Sequence, residues 1–288
     1  MKLFAMEASA FAARSALREK TNLTISADAI RRSSPTVRIE RVTDGVAVID
    51  IRGVMLASPD PLDEFFGGFT NTRAVTRLVE SAANDSAVKA IILRVDSPGG
   101  SVEGLAELGD AVRSASRRKR VVAQVEGLAA SAAYYVASAA SEIVAGRMDL
   151  VGSIGTVLVV FDASKAFADA GLRVVPIVSG KFKATGTLGT PLTADEQAYL
   201  QGIVDSYFAD FRRAVMSGRG VRLSLASMSA VSDGRIFPAT NALELGLVDS
   251  LGTFNATMQR LTAPSPTSSQ RMQARVQRSR LAVLSLGR

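Results

Sequence analysis

Neither cysteine nor histidine occurs anywhere in the 288 residues. Without histidine the chain holds no Ser-His-Asp triad, no Cys-His pair and no His-based zinc site. Without cysteine it has no disulfide, no thiol nucleophile and no iron–sulfur cluster. Any general base must then be Asp, Glu, Lys, Tyr or a terminal amine. Lysine is itself scarce, being confined to Lys2, Lys20, Lys89, Lys119, Lys165, Lys181 and Lys183. Long apolar runs are missing as well. The most apolar stretch, 127–141, is Ala- and Ser-rich and lies between Glu126 and Glu142, short of the roughly 20 residues that span a membrane. Near the start, Glu7 interrupts a few apolar residues and Arg14 and Arg18 follow, which does not fit the unbroken apolar core of a secretory signal. These absences predict a cytoplasmic chain without a membrane anchor. Its Asp and Glu residues show no metal-binding spacing, and neither metal nor cofactor is expected.

Acid is absent from the end of the chain. Beyond Asp249 there is none, but there are six arginines, Arg260, Arg271, Arg275, Arg278, Arg280 and Arg288. Removing those six from the net charge of +7 leaves +1 for residues 1–249. The basicity therefore belongs to a tail, read here as a solvated terminus and not as a nucleic-acid face. With 47% apolar and 21% charged residues, the rest is ordinary for a globular protein with a full core.

Three parts are expected: an N-terminal arm over 1–35, a single domain over 36–262, and a basic, disordered tail over 263–288. A helix is expected at 7–18 in the arm and a short one at 276–286 in the tail. Within the domain, residues 37–54 read as strand, 57–68 as a loop over a cleft, and 72–83 as a helix with Val75, Leu78 and Val79 on one face. The apolar run 89–95 reads as a buried parallel strand. A helix to about Ser116 follows, and then the basic turn Arg117-Arg-Lys-Arg120, expected at a solvated corner. Strand-like and helical segments continue to alternate at 142–145, 154–160, 163–170 and 172–178. This βαβα rhythm predicts an α/β fold with a mostly parallel sheet. Thr193-Ala-Asp-Glu196 is a capping-box signature opening a long helix to about Met216, with Leu200, Ile203, Tyr207, Phe208 and Phe211 on an apolar stripe suited to core or subunit packing.

One stretch organises the chain. Residues 120–125 read as a strand that feeds Glu126-Gly-Leu-Ala-Ala-Ser131, and a helix of nearly all small residues follows. A serine at such a joint has its hydroxyl beside free N–H groups, and small neighbours allow close approach, as a nucleophile requires. The same residues equally describe an Ala-rich packing helix with a serine N-cap. Asp96-Ser-Pro-Gly-Gly100 follows a buried strand, where glycines can aim backbone N–H groups into a cleft; Gly-Gly there is also a common turn. If Ser131 is a nucleophile, a lysine is the candidate base. The loop Gly180-Lys-Phe-Lys183 offers Lys181 and Lys183, provided that Phe182 and small neighbours bury the amine and lower its pKa.

Taken together and in order, Asp96-Ser-Pro-Gly-Gly100, Ala130-Ser-Ala-Ala-Tyr-Tyr135, Gly152-Ser-Ile-Gly155, Gly180-Lys-Phe-Lys183, Asp233-Gly-Arg235 and Gly246-Leu-Val-Asp249 resemble the signal peptide peptidase A (protease IV) family of Ser-Lys peptidases, over roughly residues 45–262. The resemblance implies a crotonase/Clp-like α/β fold with flanking helices and serine endopeptidase activity. It makes Ser131 the nucleophile and Lys183 the base, with Lys181 as fallback and Ser153 orienting the amine. The N–H groups of Gly100 and Ala132 would form the oxyanion hole, with Gly99 shaping the turn. Substrate would bind as an extended strand, and the chain would form a homo-oligomer. Ala132-Ala133 departs from the Gly-Gly of many members. A soluble unit with an Arg-rich tail is more similar to the phage branch, the head proteases that trim scaffold and portal-associated proteins. The other readings are a cellular signal-peptide-degrading peptidase, a catalytically silent capsid-assembly scaffold and an acyl-CoA enzyme of crotonase type.

Overall fold

A computed structural model describes residues 4–6, 39–59 and 68–263. In chain order these form β1 (Phe4–Met6), β2 (Ile39–Thr43), β3 (Val46–Arg52), β4 (Val54–Leu56), β5 (Phe69–Asn71), α1 (Thr72–Asn84), β6 (Ala90–Ser97), β7 (Gly99–Ser101), α2 (Leu105–Arg118), β8 (Arg120–Ala130) and α3 (Ala132–Ser138). There follow β9 (Glu142–Ala145), β10 (Leu150–Gly152), α4 (Ser164–Asp169), α5 (Ala194–Arg219), α6 (Leu225–Val231), β11 (Ile236–Pro238), α7 (Ala239–Glu244), β12 (Ser250–Leu251) and α8 (Phe254–Thr262). The helix expected at 7–18, most of the loop at 57–68 and the tail helix at 276–286 lie outside the described residues.

The apolar run expected to be a buried parallel strand becomes β6, at the centre of an eight-stranded sheet whose main path is β11-β10-β8-β6-β3-β2, with β9 joined to β8 and β12 to β9 off that path. β3, β6, β8 and β10 run parallel, while β2 and β11 close the edges antiparallel. β8 is long enough to pair β9 along Val122–Val125 and β10 along Leu128–Ala130. Alternate residues of the central strands face two helical layers. Ala47, Ile49, Ile91 and Leu93 pack with α1, α2 and α3, whereas Val46, Val48 and Ile92 meet Phe254, Met258 and Leu261 of α8. The architecture is therefore α/β, with a mostly parallel sheet and flanking helices, as expected. A second sheet, β1-β7-β4-β5, lies at the C-terminal ends of these strands.

The structure corrects four details. Residues 37–54 do not form one strand: Asp44 and Gly45, at φ of 51° and 82°, turn the chain into a hairpin, because two left-handed residues in succession match the twist of paired strands. Residues 154–160 form no strand, and the pairing falls earlier, at Leu150–Gly152. Nor do residues 172–178, where Leu172, Val175, Ile177 and Val178 are 50–92% exposed and have no neighbouring strand among the described residues. The basic run is exposed at Arg117, Arg118 and Arg120, as expected of a solvated corner, but it is not a free turn. α2 runs on through Arg118, and Lys119 donates to the carbonyls of Ala82, at 2.9 Å, and Asp85, clamping the C-terminal end of α1. The capping box of α5 is present, with Thr193 and Glu196 bonding reciprocally.

Candidate active site

Ser131 stands between β8 and α3 with φ 54° and ψ −118°, a backbone region sparsely used by residues with a side chain. Such a conformation costs about 1–3 kcal/mol and persists only where its surroundings dictate it. Here the Ser131 N–H donates to the Gly152 carbonyl at 2.8 Å, and the Ser131 carbonyl accepts from Tyr135 at 2.9 Å. Ala129, Ala130, Ala132 and Ala133 are wholly buried around it. Ser131 is only 1% exposed in the single chain, and its hydroxyl meets the Gly155 carbonyl at 3.5 Å, too long to hold it firmly. The Ala132 N–H has no hydrogen-bond partner among the described residues, so it remains available to an oxyanion.

The glycine turn lies alongside, since α3 packs against β7. Ser97 builds it: its buried hydroxyl donates to the Gly53 carbonyl at 2.6 Å and accepts the Gly99 N–H at 3.1 Å. Gly99 has φ 96°. A Cβ on Gly100 would stand 1.8 Å from the Met55 carbonyl oxygen, so only glycine allows β4 and β7 to approach this closely.

Ser153 is the second serine in a left-handed conformation, at φ 49°. Its N–H donates to the Arg235 carbonyl at 2.7 Å. It lines a cleft of about 520 Å³ together with Ile154, Val204, Phe208, Asp233 and Gly234. Hydrogen bonds from Arg235 hold the Asp233 carboxyl below its ordinary pKa, at the rim. Four separated motifs thus meet: 96–101, 130–135, 152–155 and 233–235. The 246–249 motif stands behind them, where the buried Tyr134 hydroxyl donates to the Leu247 carbonyl at 2.8 Å. Burial pushes the Tyr134 phenol up, well beyond its ordinary 10.0.

The lysine loop does not join this group. Lys183 is exposed, and no hydrogen bond links it to Ser131 or Ser153 among the described residues. Phe182 stacks on Tyr199 at 4.9 Å and carries the Lys181 amine 5.2 Å from its ring centre, but that amine is exposed and pairs with Asp195 at 2.5 Å. The environment expected to bury the base is therefore not supplied within one described chain.

Two supporting groups escaped the sequence reading. Asp149 accepts the N–H groups of Gly127 at 2.9 Å and Gly146 at 2.6 Å, fixing the approach of β8 to Ser131. Arg219, fully buried in the last turn of α5, makes a two-pronged pair with Asp249 at 2.8 and 2.9 Å. Asp249 had a signal in its motif, but Arg219 reads only as a C-terminal helix charge.

Among described residues no cluster of Asp and Glu is placed to hold a metal, and no helix is long and apolar enough to cross a membrane. Sequence comparison decides the family. The sequence pattern of peptidase family S49 matches residues 113–265, just over half of the chain. The chain belongs to peptidase family S49. The Clp protease pattern matches residues 69–148 of this S49 chain, spanning α1 to β9. A protein of Methanocaldococcus jannaschii is 34% identical over 191 residues, covering 66% of this chain and 61% of that one. The head-tail preconnector protein GP5 of Enterobacteria phage P21 is 28% identical over 216 residues, with 74% of this chain and 42% of the relative covered. The capsid assembly protease C of Escherichia phage lambda is 28% identical over the same length, with 74% and 48% covered. The S49 chain thus spans less than two thirds of these relatives. An enoyl-CoA hydratase/isomerase from Marinobacter aquaeolei resembles it at a TM-score of 0.47 and 14% identity, covering 84% of this chain and 83% of that one.

Proposed function

We propose that the chain is a serine endopeptidase with Ser131 as nucleophile and Lys183 as general base. The observation that carries this reading is the strained Ser131 backbone, held between the glycine turn of β7 and the Gly152–Ser153 corner. Ser131 Oγ attacks the scissile carbonyl while its proton passes to the neutral Nζ of Lys183, oriented by the Ser153 hydroxyl. The N–H groups of Gly100 and Ala132 take the oxyanion. Collapse gives an acyl-serine and the amine product, which leaves with the proton from Lys183. Water then repeats the sequence and releases the acid.

A lysine becomes a base only when it is drawn out of solvent. The segment that carries Lys183 exposes Phe161, Leu172, Val175, Ile177, Val178 and Leu188, each at least half exposed. Large apolar side chains in such density favour a contact with another copy of the chain, which would enclose the lysine loop. The substrate would be a polypeptide bound as an extended strand. Likeness to two phage head proteins supports a role in trimming scaffold or portal-associated proteins, within the host cytoplasm or the procapsid.

The test is intact-mass analysis of casein and extended peptides incubated with wild type, Ser131→Ala and Lys183→Ala. Cleavage by wild type alone is expected. Mixing the two inactive variants should restore activity if the lysine comes from a second copy. Cleavage persisting in Ser131→Ala would overturn the assignment, and cleavage surviving only in Lys183→Ala would move the base to Lys181.

A further inference from the structure

The second sheet contains a strand whose position the peptidase chemistry does not explain. β1 lies antiparallel on β7, with Phe4 opposite Ser101, Ala5 opposite Gly100 and Met6 opposite Gly99. The other edge of β7 is taken by β4, where Met55 pairs with Gly100. A strand has two edges for backbone pairing, so β1 holds the one place where a further strand can add to β7. That edge belongs to the segment carrying Gly100, the proposed oxyanion donor, and α3, which opens just after Ser131, packs against it. A polypeptide laid beside Gly99–Ser101 in extended form would need the space in which Phe4–Met6 lies.

We infer that Phe4–Met6 is a built-in pseudosubstrate, seated where the substrate strand adds and displaced by it before cleavage. The inference rests on the reading of Ser131 and Gly100 given above. The pairing of β1 with β7 spans only three residues, a short strand held weakly enough for a substrate strand to displace it. Because β1 belongs to the same chain, its hold does not change with protein concentration. The apparent affinity for substrate is lowered by the fraction of molecules with the edge vacant.

The experiment uses the full chain carrying Ser131→Ala, so that bound peptide is not cut, with and without Ala5→Pro. Proline removes the N–H of the central β1 residue and disfavours pairing. Hydrogen exchange should show the amides of Gly99–Ser101 protected in the parent and faster in Ala5→Pro, with β6 and β8 unchanged as the measure of an intact fold. Binding of a labelled extended casein peptide, followed by fluorescence anisotropy, should tighten by about tenfold, as expected when a seat occupied nine times in ten is vacated. With Ser131 restored, kcat/KM should rise by a similar factor, and an added synthetic peptide of residues 2–8 should inhibit competitively. Exchange at Gly99–Ser101 unaffected by Ala5→Pro overturns the inference. So does faster exchange with unchanged peptide affinity, since β1 then sits away from the substrate's place. Failure of the peptidase reading shows separately, as wild-type chain that cuts nothing.

Discussion

Removing the Asp249 carboxylate should destabilise the fold far more than removing any single surface charge. Asp249 accepts from Arg219 Nη1 at 2.9 Å and Nη2 at 2.8 Å, and also from the Ile143 N–H at 2.7 Å. Arg219 Nε donates to the Gly246 carbonyl at 2.9 Å, and its side chain is 0% exposed. Asp249→Ala leaves a guanidinium in the interior with one of its three contacts, and leaves the Ile143 N–H unpaired. Breaking a buried pair from one side costs about 3–5 kcal/mol. At roughly 2–4 °C per kcal/mol for a chain of this size, the midpoint of thermal unfolding should fall by about 6–20 °C. Arg222→Ala is the control: its Nε is 3.0 Å from Asp249, but its side chain is 47% exposed, and such a pair is worth less than about 1 kcal/mol. Replacing both partners, Arg219→Met with Asp249→Leu, should recover most of the loss, because no charge is then stranded. Calorimetry and urea titration of wild type and the three variants at pH 7 decide the matter. A loss under about 1 kcal/mol for Asp249→Ala, or one equal to that of Arg222→Ala, refutes the reasoning.

Three further outcomes are expected. Gly218→Ala places a Cβ 1.9 Å from the Ser138 carbonyl oxygen, where α5 crosses α3, so urea unfolding should show a loss of about 1–3 kcal/mol from the forced separation. Lys119→Ala frees the end of α1 and should cost about 0.3–1 kcal/mol, with faster amide exchange confined to the last turn of that helix. Stability should fall at both ends of the pH range. Burial pushes the Asp249 carboxyl up, but its bonds to Arg219 and Ile143 and the Arg219 and Arg222 charges outweigh this and hold it below 3.8; Glu142, bonded to Arg260 and Arg120, likewise lies below 4.5. A depressed carboxylate stabilises above its unfolded pKa, so this contribution is lost as pH drops below those values and through the lower folded ones. Tyr134 has the opposite sign: burial raises its folded pKa above 10.0, so stability declines as pH climbs past 10, and Tyr134→Phe should remove that alkaline limb in a pH series of urea midpoints.

What the sequence revealed depended on whether each signal was local. β6 and β8 were legible because unbroken β-branched runs have few alternatives, and the α5 capping box because four residues specify it. The hairpin at Asp44-Gly45 carried a local signal too, an Asp-Gly pair between apolar runs, but the continuous strand pattern on both sides concealed it. The stretch at 172–178 has the composition of a strand and none of the structure, since pattern supplies an edge and only another backbone supplies the pairing. Arg219 was not legible, because nothing next to it announces that its last helical turn will be buried under the 246–249 corner. The convergence of 96–101, 152–155 and 233–235 on Ser131 was suggested by motif order, while the exposure of Lys183 depends on what covers the loop, which the order of residues does not state.

Among the described residues three without a glycine's freedom adopt positive φ: Asp44, Ser131 and Ser153. Asp44 has a hairpin to hold it. The two serines are joined through one corner, where Ser131 bonds to the carbonyl of Gly152 and Ser153 to that of Arg235. If each conformation costs about 1–3 kcal/mol, the corner would relax unless the layers on both sides were rigid. That rigidity is visible behind it. Tyr134, three residues past Ser131, is tied to Leu247, and Leu247 lies between Gly246, held by Arg219, and Asp249, held by Arg219 and Ile143. The buried ion pair therefore acts on the serine corner through two short segments of backbone. Loosening it should relax Ser131 toward an ordinary strand-to-helix turn before the sheet itself unfolds.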